Sequence, residues 1–306
     1  MKIWAVTLCG GAAREAVGGM GTGGEGRVIA VFARSFYLAD ATGGLACIGP
    51  SGLGGGPLNV LCALPDTLDW QANGLRTGDT ASSIGRRLLV AGRFCFDLAD
   101  AVAWRPTPPP TGWDVTTLAA SLAVLAKLAA AESVADGFAP LVAALATHRW
   151  EEHGMAVSDR PLHRLAWPAI SSLADWLASG GNAPPPEAAE ILIGLGPGLT
   201  PSGDDLVGGA MIALRALGRL GIASRLAAWA LPLARQRTGA ISVAHLACAA
   251  SGEGSAALHD LIAALLTPGA PSLAEALTAL AAIGHSSGWD ALAGVALAAS
   301  DVANAA

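Results

Sequence analysis

The chain changes its hydrophobic rhythm about a third of the way along. Over the first ~110 residues apolar positions come in short runs: Arg27 to Ala33, Phe36 to Ala39, Leu45 to Ile48, Leu58 to Ala63, Arg87 to Val90 and Arg93 to Asp97. Glycine-bearing turns such as ATGG (41–44) and AGR (91–93) separate them. Short runs broken by turn residues predict hairpins in a small barrel or sandwich rather than alternating βαβ units. Beyond RPTPPPTGW (105–113), whose prolines stop regular structure, the period becomes helical. Leu118, Leu122, Leu125 and Leu128 recur at helical spacing. Comparable stripes run from Pro140 to Arg149, Leu162 to Ala178, Leu206 to Leu220, Ala223 to Arg235, Ile241 to Ala250, Ala256 to Leu266 and Ser272 to Ile283. The expected fold is α+β: a β-rich domain over 1–110, a barrel or sandwich, followed by a larger, mostly helical domain over 111–306.

Composition narrows the function classes. At 306 residues, 53% hydrophobic and 14% charged, the chain can bury a sizeable core. A net charge of -6 without a run of Lys or Arg argues against a nucleic-acid surface. Mean hydropathy is high at +0.50. Even so, Lys127, Glu132, Arg215, Glu275 and Asp290 interrupt the apolar stretches before the ~20 residues that a membrane span requires. The apolar patch Ile3 to Leu8 is shorter than the ~7 residues of a leader's hydrophobic region, so a cytoplasmic location is expected. Five cysteines without paired spacing suit buried, reduced thiols rather than disulfides or a zinc site.

The chemistry concentrates in IGLGPGLTPSGDDLVGG (193–209). Glycines at 196 and 198 let a ligand approach the main chain. A helix is expected to start here, capped by Thr200 with Pro201 at its first position, or by Ser202 with Asp205 completing a capping box. Its first turn, through Gly203 and Asp204, would offer amides to an anion. No lysine follows, so this is not a Walker loop, and the proline in GLGPGL argues against a dinucleotide fingerprint.

SGDDLVGGA (202–210) is echoed by SGWDALAGV (287–295). Each copy places an aspartate and a glycine on one helix face, Asp205 with Gly209 and Asp290 with Gly294. Two such helix starts, with Thr200 and Ser202 on one and Ser286 and Ser287 on the other, are expected to converge on one polar pocket. His285 is a candidate general acid or anion donor. Thr238 and Ser242 mark a third hydroxyl-bearing helix start, and Arg237 is the nearest arginine in sequence to serve as a clamp. His245 reads as structural, and His148, His153, His163 and His259 read as surface residues.

GLGPGLTPSGDDLVGG (194–209), TGAISVAHLACAASGE (238–253) and GHSSGWDALAG (284–294), in that order, resemble the AllH-like family, and GRVIAVFARSFYLADATGGLACIGP (26–50) extends the likeness. That family is associated with the oxamate carbamoyltransferase subunit of bacterial allantoin degradation. The resemblance implies a role in interconverting oxalurate and phosphate with oxamate and carbamoyl phosphate, in concert with companion subunits. It transfers no catalytic residue. The expected ligand is a small anion: carbamoyl phosphate, phosphate, oxamate or a similar carboxylate. His285, Asp205 and Asp290 are the catalytic candidates, with no cofactor. Two alternatives stand beside this reading: a hydrolase using Mg or Mn held by Asp204, Asp205, Asp290 and His285, and a non-catalytic metabolite-binding subunit. Self-association into a homo-oligomer is left open.

Overall fold

The computed structural model describes residues 2–23, 25–65, 67–132, 134, 136–148, 160–268 and 273–305. The chain divides into two compact units, Met1–Pro106 and Thr107–Ala306.

The first unit is an eight-stranded β-barrel with one extra strand. Its strands are β1 (Ile3–Cys9), β2 (Gly26–Val31), β3 (Phe36–Ala39), β4 (Leu45–Pro50), β5 (Asn59–Cys62), β6 (Thr80–Ile84), β7 (Arg87–Val90), β8 (Phe94–Asp97) and β9 (Val102–Ala103). Hydrogen bonding runs β5-β4-β3-β2-β6-β7-β8-β1, and β5 closes the ring by pairing antiparallel with β1. Among the described residues, closure leaves no long unpaired edge. The parallel pairs are β4 with β5, β1 with β8, and β1 with β9, which continues beyond β8 along the same side of β1. A short helix, α1 (Gly11–Gly19), packs on β4, β5 and β6.

Aromatic side chains fill the barrel. Trp70 and Phe36 meet edge to face with centroids 4.8 Å apart, and Trp4 stacks on Phe96 at 5.5 Å. Such pairs add to the burial of their own large apolar areas. All five cysteines are buried and unbridged; burial pushes the Cys47 thiol up to about 11 and the Cys62 thiol up to about 12. An open cavity of ≈ 370 Å³ is lined by Val31, Gln71, Leu75, Arg76 and Thr77, but Gln71 and Arg76 already bond neighbouring main-chain carbonyls.

The second unit comprises α2 (Val115–Ala131), α3 (Val142–Ala146), α4 (Pro161–Ala178), α5 (Ser202–Ala216), α6 (Leu220–Arg237), α7 (Ala240–Ala250), α8 (Ala256–Leu265), α9 (Leu273–Ala281) and α10 (Ser287–Asn304). The ends of two expected stripes, at Arg149 and Ser272, lie outside the described residues, as does His153. Helices α5 and α10 form the centre. Nearly every position from Gly288 to Ser300 is buried, as is most of α5, which is what helices apolar on all sides require. Around this pair stand α2, α3, α4, α8 and α9 on the α10 side and α6 and α7 on the α5 side. Among the described residues no helix is long and apolar enough to cross a membrane.

Candidate functional site

The glycine-proline loop is shaped by close approaches. Gly194 has φ +81°, and a β-carbon there would stand 2.6 Å from the Arg237 carbonyl oxygen. Gly196 has φ +119°, and a β-carbon would stand 2.8 Å from the Ser202 amide nitrogen. Only glycine accommodates both the left-handed backbone and the crowding. A β-carbon on Gly203 would land on the Leu192 carbonyl, whereas Gly198 faces open space at the exposed tip.

Neither expected capping register is used. Helix α5 starts at Ser202 with Pro201 in the cap position and no side-chain cap bond. The Thr200 hydroxyl is instead engaged across the helix pair, 3.0 Å from Ser287 Oγ. Ser202 is already helical, is 2% exposed, and turns its hydroxyl toward Asp290. The first-turn amides are also less available than expected: Gly203 N–H donates to the Leu195 carbonyl, and those of Asp204 and Asp205 donate to Pro201. These three amides are therefore already committed within the protein.

Adjacent in sequence, Asp204 and Asp205 have different surroundings. Asp204 is 1% exposed and has both oxygens occupied, Oδ1 by the Gly194 amide at 2.8 Å and Oδ2 by the Ser242 hydroxyl at 2.6 Å. It ties the loop to the first turn of α7. Asp205 points toward α10, where the hydroxyls of Ser287 and Thr200 lie beside its carboxyl, yet its Oδ2 is buried without a hydrogen-bond partner. Burial first, then the facing charge of Asp290, push this carboxyl well above the usual carboxylate range; Asp204 adds to the push and the two hydroxyls oppose it.

Asp290 is fully buried but well supplied with donors. Its Oδ1 accepts the Phe138 amide at 2.6 Å and its Oδ2 accepts the Ser286 hydroxyl at 2.8 Å. Burial raises its carboxyl; these donors, Ser202 and His163 pull it back. The arrangement is crossed: the first residue of each helix faces the other helix's aspartate, Ser202 to Asp290 and Ser287 to Asp205. Thr200, Ser202, Asp205, Ser286, Ser287 and Asp290 thus form one cluster at the junction of two helix starts.

Other candidates lie apart from that cluster or are already engaged. The His285 side chain is 87% exposed and its Nε2 pairs with Asp136 Oδ2 at 3.2 Å. Arg237 commits its guanidinium to Glu190, at 2.9 Å to the carbonyl and 2.7 Å to the carboxylate. Thr238, one turn before Ser242, has a buried hydroxyl without a partner. His163 and His259, expected at the surface, are instead 2% and 6% exposed, each held by a main-chain hydrogen bond. Among the described residues no group of three or more His, Cys, Asp or Glu side chains is disposed to hold a metal ion.

Three further residues reach the cluster without any signal in the sequence. Gly137 adopts φ +52° and its backbone abuts Asp290 and Ser286, Phe138 supplies the amide, and His163 Nε2 lies 2.6 Å from the Gly137 carbonyl oxygen. They are distant from α10 in sequence, and an Asp-Gly pair reads as an ordinary turn.

Both aspartates and the loop now have a match outside the molecule. Residues 192–299 match the model of the family described as oxamate carbamoyltransferase subunit AllH. The AllH match begins at Leu192, just before the glycine loop, and ends within α10, so it takes in α5, α7 and both Ser-Gly-x-Asp helix starts. The barrel lies outside the AllH match. No curated protein and no solved structure matches the chain.

Proposed function

We propose that this chain is a subunit of a carbamoyl-transferring enzyme of the oxamate carbamoyltransferase kind, and that the α5–α10 junction holds its carbamoyl-bearing ligand. The observation that carries the reading is the side-by-side placement of Asp205, with its unpartnered buried oxygen, and the Thr200–Ser287 hydroxyl pair, inside the segment that matches the AllH family. An acceptor oxygen flanked by hydroxyls suits a ligand bearing both N–H donors and carbonyl oxygens; it suits a bare phosphate poorly.

In this reading a phosphate oxygen attacks the ureido carbonyl of oxalurate, the C–O bond forms, and the C–N bond to the oxamate nitrogen breaks. The phosphate proton ends on that nitrogen. A carboxyl held above its ordinary range is suited to pass that proton at neutral pH, so Asp205 takes the proton-transfer role. The hydroxyls of Thr200 and Ser287 steady the developing oxyanion. Asp290, with both oxygens occupied, fixes the α10 start. A cation for the phosphate, absent from this cluster, comes from a companion subunit.

The test is phosphorolysis of oxalurate followed by ³¹P NMR, with the purified chain alone and together with its companion subunits. Carbamoyl phosphate formation that is lost in Asp205→Asn supports the reading. No turnover in the complete assembly, or full turnover with Asp205→Asn, refutes it.

A further inference from the structure

The Gly137 carbonyl and the Phe138 amide belong to one peptide group, and the two ends of that group are held from opposite sides. His163 Nε2 stands 2.6 Å from the Gly137 oxygen, and the Phe138 N–H donates to Asp290 Oδ1 at 2.6 Å. A carbonyl oxygen only accepts, so the imidazole proton at this contact sits on Nε2. His163 Nδ1 is buried without a partner. An imidazole donating to the carbonyl polarises the peptide and strengthens its N–H as a donor to the carboxylate beyond it.

The approach requires Gly137: at φ +52°, a β-carbon would collide with Asp290 Oδ1 and stand 2.7 Å from Ser286 Cβ. His163 sits on α4 and is 2% exposed, so solvent does not compete for the contact.

We propose that His163 is a positioning residue: acting through the Gly137–Phe138 peptide, it holds the Asp290 carboxyl in place against Asp205 across the α5–α10 junction. The proposal rests on the α5–α10 junction being the ligand site. The charged and titratable groups concerned are Asp290 and Asp204 facing Asp205, and His163 facing Asp290. Removing the imidazole donor weakens the Phe138 hydrogen bond, loosens the Asp290 carboxyl, and so reduces its push on the Asp205 carboxyl.

The test is a carboxyl titration by ¹³C NMR on aspartate-labelled protein without ligand, with the two signals assigned through Asp205→Asn and Asp290→Asn. In His163→Phe the Asp205 midpoint falls by about one pH unit, the scale on which a neighbouring charge acts. In His163→Gln, whose amide nitrogen can reach the same carbonyl, it stays at the wild-type value. An unmoved midpoint in folded His163→Phe, or an equal shift in both variants, overturns the proposal. Should His163→Phe not fold, ¹⁵N spectra of wild-type imidazoles decide: a proton on Nε2 supports the relay and an Nδ1–H tautomer overturns it. Because this titration uses no ligand, it separates the two claims. A midpoint that moves as stated while oxamate and carbamoyl phosphate fail to bind leaves the positioning role standing and removes the functional one.

Discussion

Gly209 of α5 and Gly294 of α10 are reciprocal contacts. A β-carbon on the first would land on the Ala291 carbonyl of α10, and one on the second would land on the Leu206 carbonyl of α5. The repeated Ser-Gly-x-Asp-x-x-x-Gly therefore does two things at once: its glycines bring two helix backbones together, and that proximity sets its serines and aspartates against each other at the helix starts. Gly294→Ala is expected to destabilise the fold by about 1–3 kcal/mol through overpacking. The urea midpoint measures it, and an unchanged midpoint would mean the helices do not pack this closely.

Asp205→Asn is expected to be more stable than the wild type at pH 8 and to lose that advantage toward the ordinary carboxylate value of 3.8. The sign follows from linkage: a carboxyl raised in the fold favours the protonated state, so its contribution is complete at acid pH and is lost as pH rises through the folded-state value. The gain at pH 8 is the penalty of ionising a buried carboxyl, which an amide does not carry. Thermal unfolding from pH 4 to pH 8 reads it directly. A variant less stable than wild type at pH 8 contradicts the assignment of an unsatisfied carboxyl.

Asp204 has a different task. Truncation to alanine removes the acceptor for the Gly194 amide and the Ser242 hydroxyl together. Hydrogen exchange at Gly194 is expected to accelerate, with about 1–3 kcal/mol lost for the stranded groups. Unaltered exchange would show that the loop is held by something else.

His285→Ala is expected to change stability by less than about 1 kcal/mol, because its pair with Asp136 is solvent-exposed. Ligand-induced stabilisation should persist in this variant. Its disappearance would restore His285, a catalytic candidate from the sequence, to the proposed ligand site.

The sequence reveals the barrel's hairpins more readily than its closure. Runs such as Phe36 to Ala39 and Arg87 to Val90 coincide with β3 and β7. Strand β1, which pairs with both β5 and β8 and so closes the ring, is an apolar patch at the chain start whose alternation competes with a leader-like texture. Strand β6, TASSI, is too small and polar to register, and α1 is nine residues with a glycine at each end. In the helical unit the internal repeat was the informative signal, since a duplicated motif implies a duplicated environment. What it did not disclose was which hydroxyl meets which carboxylate. That pairing depends on the crossing of α5 over α10, and the same is true of His163 and the Gly137–Phe138 peptide, which arrive from other elements. A lone histidine near the start of a helical stripe carries no mark of burial.

The most direct measurement is the thermal stability of the chain with oxamate, carbamoyl phosphate or phosphate, compared between wild type and Ser287→Ala with and without chelator. A ligand at ~100 times its dissociation constant stabilises the fold by ~2.7 kcal/mol, or several degrees for a unit of this size. A chelator-insensitive rise with oxamate or carbamoyl phosphate is expected in the wild type, and Ser287→Ala, measured against its own unliganded midpoint, is expected to lose it. An equal rise in Ser287→Ala, or a rise with metal alone, contradicts the proposed ligand site.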